Sequence, residues 1–171
     1  ALGASMDSIS WVLTSFIIAG VLVLPLTGWL SDRLGSRNLF IGATAMFVLS
    51  SMLCGTATSL TQMVLYRALQ GMASAFMGPM SQTILFDINR PSRQARAMSI
   101  WGMVVMIGPI SGPFIGGYLT ETLNWRWVFY VNLPIGIPAL ALLWWLLPSR
   151  PLVRRRLDVF GATVLGLGLC G

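Results

Sequence analysis

The sequence predicts an all-α membrane protein, a partial helical bundle of about five complete transmembrane helices plus the start of a sixth. Composition is the first reason: 56% of the 171 residues are hydrophobic and 9% are charged, whereas a soluble domain carries about 25% charged residues. The second reason is that uncharged runs of about 20 residues, long enough to cross a bilayer, alternate with short polar segments. The third is that arginines concentrate in every second polar segment.

Five apolar runs define the predicted spans, and a further run begins near the C-terminus. The first run starts at Trp11, which suits an interfacial aromatic belt, and contains Pro25, which would kink or loosen its helix. Residues 1–147 therefore form the predicted bundle, and 148–158 form a basic cytoplasmic linker. The predicted spans are 11–30, 39–57, 62–86, 97–119 and 128–147, with the start of another at 159–171.

The arginines predict the orientation of the bundle. The chain contains no Lys and no His, and its net charge is +6. The three segments predicted to lie inside hold two, three and four arginines, whereas the outer segments hold one, Arg126. Because basic residues favour cytoplasmic loops, we expect residue 1 outside the cell. Clustering in short loops between apolar runs also argues against a nucleic-acid-binding groove.

Metal and hydrolase chemistry lacks the residue types that it needs. Cys54 and Cys170 lie in apolar runs, with no spacing suited to a metal ion or a disulfide. Without His, and with no nucleophile–base pair in the spans, we predict no enzyme, no metal and no cofactor. The five acids all lie at or beyond span ends: Asp7, Asp32, Asp87, Glu121 and Asp158.

Segment 28–37 joins the first two predicted spans. Gly35 predicts a tight turn because glycine accepts left-handed backbone angles, and Arg33 interacts favourably with the C-terminal dipole of the preceding helix. A generic positive-inside loop would explain these features. The segment also resembles the signature loop between the second and third helices of the major facilitator superfamily, although relatives often carry a basic residue at Ser36. The resemblance implies a cytoplasmic group comprising Gly28, Asp32, Arg33, Gly35, Arg37 and Asp87.

Arg67 is the one charged residue inside a predicted span. Inserting an arginine costs about 2.5–3.5 kcal/mol on translocon scales, so the cost must be offset. Gln70, Gly71 and Ser74 follow at helical spacing, which predicts a polar face turned towards a cavity. The alternative is that Arg67 snorkels to the outer interface. The order Arg-x-x-Gln-Gly-x-x-Ser-Ala is similar to the fourth-helix motif of proton-coupled facilitators, which implies that Arg67 assists proton transfer.

The fourth span carries glycines at four-residue intervals, which make a groove that permits close approach of another helix. Ordinary packing of small residues is one interpretation. The pattern also resembles the fifth-helix antiporter motif of drug:proton exporters. Its members are Gly108, Gly112, Pro113, Gly116 and Gly117.

Segment 124–136 is, by itself, an aromatic interfacial belt followed by a helix softened by Pro and Gly. It is also similar to the sixth-helix signature of the fourteen-helix drug:proton antiporter branch. The residues that carry this likeness are Trp125, Arg126, Trp127, Asn132, Pro134 and Gly136.

Together these resemblances imply part of the N-terminal half of a major facilitator exporter, starting at the second helix. Such a protein exports drugs or other small amphipathic molecules by alternating access, with the proton gradient as its energy source. Its implied partners are substrate, protons, the bilayer of a bacterial inner membrane and the C-terminal half, with a membrane-fusion protein left open. A proton-coupled symporter of the same fold and a non-transporting receptor or structural module are the alternatives. The proton-carrying acid is expected outside these residues.

Overall fold

The computed structural model describes residues 6–147, with side chains from Ser10 onwards. The predicted linker 148–158 and the run 159–171 lie outside the described residues. Within 6–147 the chain forms α-helices, one 3-10 turn at Leu24–Leu26 and no strand. The helices are α1 (Met6–Val23), α2 (Thr27–Leu34), α3 (Ser36–Thr56), α4 (Leu60–Ile88), α5 (Pro91–Thr122), α6 (Trp127–Tyr130) and α7 (Asn132–Leu146).

Helix α4 is the centre of the bundle, because it packs extensively against both α1 and α3. Helix α3 also contacts α6 and α7, so it connects α4 to the end of the described chain. Helix α5 touches α4 and α6 only slightly, and none of its residues is buried by residues 10–147. The buried core therefore lies between α1, α3, α4 and α6.

Among the described residues, four helical stretches are long and apolar enough to cross a membrane: Ser10–Leu34, Ser36–Thr56, Pro91–Thr122 and Trp127–Leu146. They agree with the predicted all-α membrane class. Helix α4 is not among them, although its 29 residues extend about 44 Å. Two of its polar residues, Arg67 and Gln70, contact neighbouring helices, so mean hydropathy alone understates how well α4 suits the inside of a bundle. That α4 also crosses the membrane stays a prediction, which its length and central position favour.

The first hairpin differs from the predicted boundaries. The helix continues past residue 30 to Leu34, so Asp32 and Arg33 lie on the last turn of α2 and not in a loop. The turn consists of Gly35 alone, with φ of 83°, and its N–H donates to the carbonyl of Ser31 at 2.8 Å. This positive φ is the left-handed conformation expected of Gly35. The predicted loosening at Pro25 takes the form of the 3-10 turn between α1 and α2.

The start of α3 and both ends of α4 and α5 also lie outside the predicted spans, because polar residues extend these helices beyond their apolar runs. Segment 87–96 was expected to be a loop, but α4 ends at Ile88 and α5 begins at Pro91, where proline suits the first helical position. The run 128–147 is interrupted at Val131, between α6 and α7. Pro134 explains the interruption, since it has no N–H to offer the carbonyl of Tyr130.

Candidate functional site

Arg67 lies on α4 and points into the bundle. Its Nη1 donates a hydrogen bond to Oε1 of Gln70 at 3.0 Å. Its Cζ atom lies 5.3 Å from the ring centroid of Phe16 and 5.2 Å from that of Phe129. A guanidinium held between two aromatic faces gains cation–π attraction, which offsets part of the cost of leaving water. These contacts show that Arg67 faces the interior of the bundle. Its role in proton coupling stays a prediction.

Gln70 continues the polar contacts from Arg67 into the core. The side chain is 2% exposed, and its Nε2 donates to Oγ of Ser51 on α3 at 3.2 Å. Nδ2 of Asn132, at the start of α7, donates to the same Oγ at 2.8 Å. The Ser51 hydroxyl in turn donates to the backbone carbonyl of Phe129 at 3.0 Å. Residues from α3, α4, α6 and α7 thus meet in one hydrogen-bonded group around Arg67.

Gly71 and Ser74, on the same predicted polar face of α4, do not join the hydrogen-bonded group around Arg67. A Cβ atom added to Gly71 would overlap the backbone carbonyl of Phe16, so this glycine allows α1 and α4 to cross in contact. Gly20 of α1 lies at the same crossing, since its added Cβ would be 3.3 Å from the carbonyl oxygen of Gly71. The Ser74 hydroxyl donates to the carbonyl of Gly71 in its own helix at 2.8 Å.

At the predicted cytoplasmic end, the arginines contact tryptophans. Cζ of Arg33 lies 5.2 Å from the ring centroid of Trp29. Nη2 of Arg37 donates to the carbonyl of Trp144 at 2.8 Å and its Cζ lies 5.6 Å from the Trp144 ring. Arg37 thereby ties the start of α3 to the last turn of α7, a position where basic side chains commonly bind carbonyls that have no helical partner. Asp87 lies on the last turn of α4, where the helix dipole disfavours a negative charge, and we predict that it pairs with Arg33 or Arg37.

Gly28 belongs to this predicted cytoplasmic group, and Ser36 lies next to its glycine turn at Gly35. An added Cβ at Gly28 would meet no atom within 4 Å, so its side of α2 is open within the described chain. The hydroxyl of Ser36, where relatives often have a basic residue, is hydrogen-bonded to that of Ser31 at 2.9 Å. The two serines bridge the turn around Gly35.

The glycine groove of α5 faces open space within residues 10–147. An added Cβ would meet nothing within 4 Å at any of the four groove glycines, Gly108, Gly112, Gly116 and Gly117. Pro113 lies inside the continuous helix α5, and the large side chain beside it, Phe114, is 79% exposed. The groove is therefore not used to pack α5 against the other described helices.

The predicted sixth-helix signature lies against the end of α3. Nη2 of Arg126 donates to the carbonyl of Ala57 at 3.3 Å, and its Cζ lies 5.4 Å from the ring of Trp125. The Trp125 ring meets that of Phe129 edge-on at 6.3 Å. Trp127 makes a similar edge contact with Tyr130 at 6.0 Å. Arg126 therefore caps the C-terminal end of α3, while Trp125 covers the ring that contacts Arg67.

Helix packing explains the glycine at position 136 of the same signature. An added Cβ would overlap Cγ2 of Val48, so the glycine lets α7 lie directly on α3. Asn132, one turn earlier, then reaches Ser51. Pro134 lies between them and separates α7 from α6.

Three contributors to the site were missed by sequence reasoning: Ser51, Phe16 and Phe129. Each lies in an apolar run where serine and phenylalanine are common. Ser51 and Cys54 are both fully buried and three residues apart on α3, so they share the face that meets α4 and α6. The small residues along one face of α3 could have indicated a helix contact there, but nothing in the sequence indicates which polar group that face meets.

The fold and site define a helical integral membrane protein that holds a charged side chain inside its bundle. Residues 1–167 match the family model of the Major Facilitator Superfamily, and the chain belongs to this family. The family and fold predicted from the motifs are confirmed.

Individual relatives agree with the exporter branch. The chain is 38% identical to the Multidrug export protein EmrB of Haemophilus influenzae over 170 residues, which cover 98% of this chain and 33% of that protein. It is 36% identical to EmrB of Escherichia coli K12 with the same coverage. It is 38% identical to the Fatty acid resistance protein FarB of Neisseria gonorrhoeae, over 98% of this chain and 34% of that protein. The chain spans about a third of the length of these curated relatives.

A solved structure supports the fold alone. The crystal structure of a peptide transporter, POT, in complex with sulfate superposes with a TM-score of 0.73 at 17% identity, covering 99% of this chain and 37% of that chain. The chain therefore shares the helical fold of that structure.

Proposed function

We propose that the protein to which this chain belongs is a secondary active transporter of the bacterial inner membrane, which exports small amphipathic molecules in exchange for protons. The observation that carries the proposal is Arg67, held on Gln70 between Phe16 and Phe129 inside an apolar bundle. A permanent charge in such a place is costly and marks an ion or substrate pathway. Relatives named for multidrug export and fatty acid resistance support drugs and other amphipathic molecules as cargo.

In this proposal Arg67 acts on a proton carrier and does not carry the proton itself, because arginine stays protonated in proteins. Its positive field would lower the pKa of a carboxylic acid on another helix and so favour release of a proton. No Asp or Glu occurs between residues 33 and 86. The carrier acid is therefore proposed to come from a part of the transporter beyond this chain, as is the opposing half that alternating access requires.

The experiment uses the full-length protein in inverted membrane vesicles with an imposed proton gradient. We expect proton-dependent drug accumulation, which Arg67→Ala abolishes and Arg67→Lys partly keeps, because lysine retains the charge but not the forked donor geometry. Arg93→Ala, which removes an exposed arginine at the start of α5, is the matched control and should transport normally. Normal coupled export by Arg67→Ala would leave Arg67 as an anchor. Drug movement together with protons would instead identify a symporter, and no drug movement would favour a receptor or structural module.

A further inference from the structure

We propose that Ser51 is a positioning residue, whose hydroxyl links the break between α6 and α7 to Gln70 and so determines where Arg67 lies. The proposal rests on the function proposed above, since Arg67 is the group whose position matters. Ser51 lies within the C-terminal half of the apolar run on α3 and belongs to none of the motifs that the sequence displays.

The hydroxyl of Ser51 uses its whole hydrogen-bonding capacity. It donates to the carbonyl of Phe129 and accepts from the amides of Gln70 and Asn132. A serine hydroxyl has one donor and two acceptor positions, so no capacity remains for a further partner. The residue is 0% exposed. Fully satisfied polar groups in a low-dielectric core hold their partners in one arrangement.

The orientation of the Gln70 amide carries this arrangement to Arg67. A guanidinium has only donors, so the amide oxygen of Gln70 must face Arg67, as its 3.0 Å contact with Nη1 requires. The amide nitrogen then faces Ser51. Removing the hydroxyl would leave this buried N–H without its partner, and the amide would be free to rotate away from Arg67.

The helix break supplies the other end of the link. Phe129 is on the single turn of α6, which ends at Tyr130, and its carbonyl accepts the hydroxyl of Ser51. The same residue presents its ring to Arg67 at 5.2 Å. A displacement of α6 would therefore affect Arg67 by two routes, directly through the ring of Phe129 and indirectly through Ser51.

Few other ionisable groups bear on Arg67 within the described chain. Cys54, one turn after Ser51 on α3, interacts with it electrostatically. Tyr66 precedes Arg67 on α4 and packs against the core that contains Phe129. Helix α1 carries no titratable residue between Ser10 and Val23, α6 contributes Tyr130, and α7 has none. A change in the pH dependence of transport would consequently report on the proton carrier that Arg67 influences.

The test compares Ser51→Ala with Ser50→Ala in the full-length transporter, reconstituted in liposomes with an imposed pH gradient and a fluorescent drug. Ser50 is the matched control, because it is also buried but donates only to Met46 and Phe47 of its own helix. We expect Ser51→Ala to lower the maximal rate about tenfold, with KM within about threefold. The half-maximal pH should rise by up to about one unit, because a displaced Arg67 lowers the pKa of the carrier less. Ser50→Ala should match the unsubstituted protein.

Two further variants separate positioning from loss of folding. Ser51→Thr keeps the hydroxyl and should restore the pH profile, even if its added methyl lowers the amount of folded protein. Ser51→Ala combined with Asn132→Ala should be little worse than Ser51→Ala alone, because both act through one hydroxyl. Additive losses, or a Ser51→Ala pH profile equal to that of Ser50→Ala, would overturn the proposal and leave proton-driven export standing. Absence of proton-driven export in the unsubstituted transporter would refute both.

Discussion

Among single residues, Gly71 shows how the site depends on backbone contact. Its Cα faces the carbonyl of Phe16 so closely that a methyl group has no room, and the obstacle is backbone, which no rotamer change can move. The ring of Phe16 lies against Arg67 from that same crossing. Gly71 therefore helps to position Arg67 indirectly, because it allows α1 to bring Phe16 against the guanidinium.

We predict that Gly71→Ala lowers the thermal unfolding temperature of the full-length protein, because α1 and α4 must separate. Overpacking costs about 1–3 kcal/mol, partly offset by about 1 kcal/mol of helix propensity gained over glycine. Gly42→Ala on α3, where an added Cβ meets no atom within 4 Å, is the control and should not destabilise. Equal unfolding temperatures for the two variants would show that the crossing has room to spare.

Asp32, on the last turn of α2, is predicted to brace the closed cytoplasmic side and not to bind substrate, since it lies far from the bundle centre. Asp32→Asn should lower the transport rate while keeping the affinity for drug within about threefold, because the binding site is untouched while closure loses a charge. Glu121→Gln, at the exposed outer end of α5, is the matched carboxylate control. A large loss of affinity at normal maximal rate in Asp32→Asn would contradict this role.

Among the elements, α5 is distinct because it is long, apolar and almost uncovered by the other described helices. Its glycines present a smooth face to open space. A face of this kind lets another helix approach to backbone contact. We propose that a helix of the opposing half occupies the groove when the outer side is closed.

Gly112→Leu should therefore favour outward-open states and abolish coupled export, since its side chain would push the two halves apart. Even 1 kcal/mol of clash shifts a balanced equilibrium about fivefold. Gly112→Ala should be milder, and Gly102→Leu, elsewhere on α5 and also in open space, is the control. The measurement is the reaction rate of a cysteine placed in the external cavity. Intact export and unchanged reactivity in Gly112→Leu would reduce the groove to ordinary packing.

Across the whole molecule, the arginine distribution predicts which ends of the helices lie in the cytoplasm. Helix α5 allows this to be tested on one element, because Ser92 and Thr122 lie near its two ends, about 45 Å apart along the axis. Cys54 is fully buried and should not compete for a thiol reagent, and Cys170 can be replaced by Ser.

An impermeant maleimide applied to intact cells should label Thr122→Cys and spare Ser92→Cys, which should react only after permeabilisation. Ser149→Cys, which lies outside the described residues, is expected to behave like Ser92→Cys. Labelling of Ser92→Cys in intact cells would invert the orientation and with it the proposed direction of transport.

The membrane class, the helical runs, the turn at Gly35 and the family could all be predicted from the amino-acid sequence. These depend on local properties, namely hydropathy summed over about 20 residues, glycine conformation and short motifs. Helix ends were less predictable, as at Leu34 and Pro91, because polar residues continue a helix beyond its apolar run. The candidate site was predicted where its residues share one helix face, as Arg67 and Gln70 do.

The residues that meet the face of α4 carrying Arg67 and Gln70 are known only from the packing of the helices. Ser51 is 19 residues from Gln70 and 81 from Asn132 in sequence, and no periodicity relates positions on three different helices. Their meeting depends on how closely α7 lies on α3 at Gly136 and on where Pro134 interrupts the helix. Phe16 likewise reaches Arg67 only because α1 crosses α4 at Gly71. Hydropathy specifies that the helices pack together, whereas the shapes of their contact surfaces specify which buried polar groups form hydrogen bonds with one another.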